Sequence, residues 1–127
     1  MASRRSYDSR VLIAAFLIAL AVQAPSKKVE IVSVTGCLRE QGNNWMLVAA
    51  TDPVPSPANQ AQGDEIPKAA PNGKNTFRLI GVSEFNFPQH RDRTMVIRGL
   101  FIKDKVSRIN VTSAVEAVPS CVAGAPK

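Results

Sequence analysis

The sequence predicts an all-β domain in which five strands form a small, strongly curved sheet that closes into a Greek-key barrel. Two observations carry this. Five runs are rich in β-branched residues and are separated by clusters of Gly, Asn, Asp and Pro, the composition of strands and turns. Three glycines stand inside those runs, in Val34-Thr35-Gly36-Cys37-Leu38, Leu79-Ile80-Gly81-Val82 and Ile97-Arg98-Gly99-Leu100-Phe101. Glycine weakens a strand, so one placed there marks a bulge, a sharp bend or the close approach of another backbone.

The chain opens on the pattern of an export signal. Arg4, Arg5 and Arg10 form a basic start, residues 11–20 (VLIAAFLIAL) an apolar core, and small residues follow. The core is about half the roughly twenty residues that a membrane-spanning helix needs. Residues 1–26 are assigned to the signal, with cleavage expected after Ala21 or after Ser26. No cysteine stands at the end of the apolar core, so no lipid is expected there, and the mature form is expected to have no membrane anchor. Losing Arg4, Arg5, Arg10 and Asp8 lowers the formal charge from +6 by two. Much of the basic character therefore belongs to the signal. What remains promotes solubility and a general attraction to anions.

The first strand is read over 29–39 (VEIVSVTGCLR). Val32, Val34 and Leu38 share one face and Ile31 the other, with a change of register expected near Gly36. Residues 40–44 (EQGNN) make a turn, and the second strand, 45–51 (WMLVAAT), completes a hairpin. Segment 52–75 holds Pro53, Pro55, Pro57, Pro67 and Pro71 with few large apolar side chains. That composition predicts a long, proline-rich, disordered insert with an extended start. The third strand, 76–82 (TFRLIGV), sets Phe77 and Leu79 against Arg78 on the opposite face. Pro88 forbids a long helix in 83–93, where Phe85 and Phe87 are expected to plug one end of the barrel. The fourth strand is 94–103 (TMVIRGLFIK). After a turn at 104–107 the fifth, 108–118 (RINVTSAVEAV), is read with Ile109, Val111, Val115 and Ala117 on one face. Residues 122–127 are expected to be a frayed tail.

Two cysteines, Cys37 and Cys121, remain in the expected mature chain. An even count in a small exported domain predicts one disulfide between them, tying the first strand to the tail. No Cys-x-x-Cys spacing points to a redox pair.

Five strands with the connecting segment between the third and fourth follow the order of an OB-fold. The same residues carry a family resemblance. Val34-Thr35-Gly36-Cys37-Leu38, Phe77-Arg78-Leu79, Met95-Val96-Ile97-Arg98-Gly99 and Ile109-Asn110-Val111-Thr112-Ser113 before a late cysteine resemble segments of small secreted bacterial OB-fold proteins of uncharacterised function. More distantly, the chain is similar to the periplasmic bacterial OB-fold stress proteins. The resemblance covers most of 29–121 apart from the insert. It implies the fold and export, and it brings no catalytic residues with it. The chain departs from the pattern in its insert and at Gln89-His90-Arg91-Asp92-Arg93.

No catalytic constellation stands out. The one histidine, His90, lies among arginines, no carboxylate pair or nucleophile motif is evident, and metal-ligand spacing is lacking. The chain is therefore read as a binding module, not an enzyme, with no cofactor and no metal. Candidate ligand-binding residues are Trp45 and Arg78 on the second and third strands, and Lys103, Lys105 and Arg108 around the turn between the fourth and fifth. Arg91 and Arg93 would join them if both ends of the fourth strand met. The expected function is binding of an anionic ligand or glycan in the cell envelope, in the periplasm or outside the cell. The alternative is a structural or stress-related interaction domain that contacts a protein through the proline-rich insert. Nucleic acid is not expected as a partner, because aromatic residues are few and export removes the chain from most of it.

Overall fold

The computed structural model describes residues 30–127, and the expected export signal lies outside the described residues. Six strands form one mixed sheet: β1 (Ile31–Gln41), β2 (Asn44–Ala50), β3 (Val54–Pro55), β4 (Asn75–Ile80), β5 (Thr94–Ile102) and β6 (Arg108–Val118). The described residues contain no α-helix, only short 3-10 turns at Gly63–Glu65 and Phe87–His90. The hydrogen-bonded order is β2-β4-β6-β5-β1-β3, and β1 also pairs with β2, so the strands form a ring.

The length of β1 makes the ring possible. Its first part, from Ile31 to Cys37, lies antiparallel to β5. Its last part, from Cys37 to Gln41, lies antiparallel to β2. Gly36 sits at the changeover. A Cβ there would lie 2.8 Å from the Ala50 Cβ and 2.9 Å from the Val48 carbonyl oxygen, so any side chain would force β2 away. Gly99 plays the same part between β5 and β6, where a Cβ would fall 2.2 Å from the Asn110 carbonyl oxygen. The β4–β6 pairing is parallel, and the other strand pairs are antiparallel.

Inside the ring lies the main core, which includes Val34, Leu38, Leu47, Phe77, Met95, Ile97 and Ile109. Phe87 is buried in it, with Phe85 packed alongside and the Trp45 ring edge-on at 5.6 Å. These aromatic residues close one end of the core.

The sequence reading of β6 as one alternating face needs correction. Gly99 pairs with Val111 and Arg98 with Ser113, which leaves Thr112 as an extra residue on β6. One extra residue inverts the alternation. Ile109 and Val111 therefore face the main core, whereas Val115, Ala117 and Val118 belong to a second cluster with Val96 on the outer side of the sheet.

Ala61, Ile66 and Ala125 complete that second cluster. This corrects the expectation that 52–75 is a disordered insert. β3 pairs with β1, and the chain then runs over the outer face of β5 and β6, burying Ala61 and Ala70. Hydrogen bonds to the strap's main chain hold it. Thr112 Oγ1 donates to the Ala58 carbonyl at 2.9 Å, and Ser113 Oγ and Arg98 Nη1 donate to the Asn59 carbonyl at 3.2 and 2.9 Å. Arg98 Nη2 also pairs with Glu65 at 2.8 Å, while the Arg98 side chain is only 5% exposed.

The tail likewise departs from the expected fraying. The Gly124 N–H donates to the Ala70 carbonyl, the Ala70 N–H to Ala125 and the Lys127 N–H to Lys68, which docks the tail on the strap. A disulfide joins Cys37 to Cys121, with the Cα atoms 5.4 Å apart. Such a bond persists in an oxidising, non-cytoplasmic compartment.

Candidate functional site

Alternation along β4 points Phe77 and Leu79 into the core and leaves Arg78 exposed on the outer face. The parallel register sets Arg78 directly beside Arg108 of β6, and the antiparallel register sets Met46 of β2 on its other side. Two hairpin turns wall this row. Gln41 and Asn44 come from the β1–β2 turn, and Asp104, Lys105 and Val106 from the β5–β6 turn. Together these residues line an open cleft of about 450 Å³.

The electrostatics of the cleft are one-sided. Arg78, Lys105 and Arg108 face a single carboxylate, Asp104. Asp104 Oδ1 accepts the backbone N–H of Lys105 at 2.8 Å, so this oxygen shapes the turn. Asp104 Oδ2 stands 4.0 Å from Arg108 Nε, beyond hydrogen-bonding distance. Arg108 Nε is buried and has no hydrogen-bond partner among the described residues. Among those residues Arg78 makes no ion pair. Like charges directly opposite on neighbouring strands repel, so an anion between the two guanidinium groups would relieve the arrangement. Met46 and Val106 supply apolar wall, and the Gln41 and Asn44 amides can both donate and accept.

Of the residues singled out from sequence, Arg78, Lys105 and Arg108 meet in this cleft. Lys103 is exposed beyond the end of β5 and does not line it. Trp45 is elsewhere. It opposes Leu79, one position away from the outward row, and packs on Phe87 with the Arg91 guanidinium 5.6 Å from its ring centroid. Arg91 and Arg93 do not line the cleft, because their guanidinium groups are held by carboxylates outside it. Arg91 pairs with Glu40 at 2.7 Å and Arg93 with Glu116 at 3.0 Å. His90 Nδ1 also lies 3.1 Å from Glu116. Burial alone would raise the Glu116 carboxyl, but the hydrogen bonds and charges of His90 and Arg93 outweigh it and hold the carboxyl below its ordinary range.

Sequence reasoning missed Gln41, Asn44, Met46 and Val106. The first two read as turn residues by composition, and the last two as ordinary apolar side chains. The signal available was register: pairing across the 40–44 turn sets Met46 opposite the exposed Arg39 on the outer face. A second hollow, of about 410 Å³, lies at Ala50, Thr51, Asp52, Gly73 and Lys74. There Asp52 already accepts the Asn75 amide at 2.7 Å. Comparison with protein-family models, with curated proteins and with solved structures finds no match to this chain.

Proposed function

We propose that this chain is an exported, non-enzymatic binding module of the cell envelope that takes an anionic ligand in the Arg78–Arg108 cleft. The observation that carries the reading is the pair of register-matched arginines, one with a buried Nε that has no hydrogen-bond partner among the described residues, beside Lys105 and a single carboxylate, Asp104, 4.0 Å from that Nε. Within the same proposal the ring β1-β2-β4-β6-β5 is an OB-like Greek-key barrel, and β3 with the rest of 52–75 is its proline-rich insert. The ring order and the parallel β4–β6 pair support that description. The resemblance to small secreted bacterial OB-fold proteins supports it as well. The basic start and apolar core at 4–20, together with the disulfide, support a periplasmic or secreted location.

The alternative, a protein-interaction domain that works through the insert, has less behind it. The strap's buried alanines and its carbonyl hydrogen bonds are directed at its own sheet. Calorimetric titration with dextran sulfate tests the proposal. Binding is expected to weaken with added salt and to fall at least tenfold in the R78A/R108A double variant, with the urea midpoint little changed. Equal affinity of the variant and the parent protein would overturn it.

A further inference from the structure

We infer that the Cys37–Cys121 disulfide locks a strap, segment 58–70, and that reduction uncovers the outer face of β5 and β6 while the ring of strands stays folded. The basis is the separation of the two cores. The main core draws its buried residues from β1, β2, β4, β5, β6 and Phe87, and none from the strap or the tail. The second cluster exists only because Ala61 and Ile66 of the strap and Ala125 of the tail cover Val96, Val115, Ala117 and Val118. Two of the three covering side chains are alanine methyl groups and Ile66 is only partly buried, so the strap needs other restraints.

One restraint is polar: the bonds from Arg98, Thr112 and Ser113 to the strap's carbonyls, and the Arg98–Glu65 pair. The other is the tail, whose three backbone hydrogen bonds to Lys68 and Ala70 grip the strap's far end. The tail is placed by Cys121 and by the Thr94 Oγ1 bond to the Ser120 carbonyl at 2.7 Å. The mechanical order is thus disulfide, tail, strap, outer face. What opens is an apolar strip with a guanidinium, Arg98, that has lost its carboxylate.

A dithiol reductant drives the step. One of its thiolates attacks Sγ of Cys121, which is half-buried whereas Cys37 is buried. A mixed disulfide forms and Cys37 leaves as a thiolate. The second thiolate of the reductant then displaces Cys121. The protein gains two electrons and, with the two protons of the dithiol, ends with two thiols, while the reductant ends as a disulfide.

Hydrogen exchange on the whole protein, with and without dithiothreitol, tests the lock. On reduction, the amides of Ile66, Ala70 and Gly124 are expected to exchange at least tenfold faster relative to those of Ile97 and Ile109. A disulfide acting only on the unfolded chain would speed every globally protected amide alike, and that uniform result would overturn the inference. Collapse of the ring on reduction would also overturn it. The G124V variant tests the link from tail to strap with the disulfide intact. Gly124 has φ +79° and open space around it, so valine strains the tail's turn without a clash. Strap exchange should rise in G124V as well, and an unchanged strap there would refute the proposed order.

Discussion

Replacing Gly99 by alanine tests how the ring is closed. The new Cβ would sit 2.2 Å from the Asn110 carbonyl oxygen, 2.8 Å from its carbon and 2.8 Å from Ile109 Cγ2, where ordinary contact begins at 3.4 Å. Relief requires β5 and β6 to part by about 1.2 Å, and the obstacle is backbone held in a ladder, not a flexible side-chain end. Overpacking of a tight interior costs roughly 1–3 kcal/mol, and a backbone obstacle places this substitution at about 3 kcal/mol. In a domain of this size that lowers Tm by roughly 12–24 °C. The control is Gly42→Ala, where φ is +62° and nothing lies within 4 Å. Only conformational strain acts there, at roughly 1–2 kcal/mol. Urea melts of both variants give the comparison through the midpoint at constant slope. If G99A melts with the parent protein, or G42A loses more than G99A, the glycine does not serve to bring the two strands together.

Four further outcomes follow from the same contacts. Phe87→Ala removes a ring buried in the main core and beneath Trp45, and should cost about 3–5 kcal/mol in a denaturant melt, together with a change in Trp45 fluorescence. Reducing the disulfide frees the tail and the strap and should lower the urea midpoint, read with and without reductant, while the ring still unfolds in one cooperative transition. Glu65→Ala should destabilise more than Arg98→Met in the same melts. The first leaves a buried guanidinium without its carboxylate, whereas the second leaves a half-exposed carboxylate that water can solvate.

The fourth outcome concerns pH. The Arg98 hydrogen bond, then the Gln62 backbone N–H and then the Arg98 charge hold the Glu65 carboxyl below its free value of 4.5, against a small opposing effect of burial. The pair's contribution is therefore complete above that pH and lost as pH falls through the lower folded-state value. Strap amides should lose exchange protection on acidification before those of the ring do, and a strap insensitive to acid would contradict this.

Much of the ring could be read from the sequence because its determinants are local. β-branched alternation located the five long strands to within about two residues at each end, and Gly36 and Gly99 marked where backbones meet. Two lone cysteines left one pairing. The strap was not legible, because what holds it is its own carbonyl oxygens and alanine methyl groups, which carry no periodic signal. Segment 52–75 has the composition of a linker and docks only because β5 and β6 present Arg98, Thr112 and Ser113 to it. Arg98 is buried because the strap's Asn59 carbonyl and Glu65 carboxylate meet it on the outer face. The inversion at Thr112 was hidden for a related reason: a bulge is set by the register with β5, not by the residues of β6 alone. At the cleft, residue type exposed Arg78, Lys105 and Arg108, but their meeting depends on the parallel β4–β6 pair. Trp45 stands one residue from Met46 in the β2–β4 register, which sets it opposite Leu79 and against Phe87.

The most direct test of the cleft as an anion site is an NMR titration of the whole protein with inorganic pyrophosphate, following backbone amides and arginine Nε–H signals. Pyrophosphate is expected to shift Gln41, Asn44, Met46, Lys105 and the Nε–H signals of Arg78 and Arg108, with the response weakening as salt is added. Shifts confined to Arg91 and Arg93 at the other end of β5, or no salt-sensitive shift in the cleft, would contradict it.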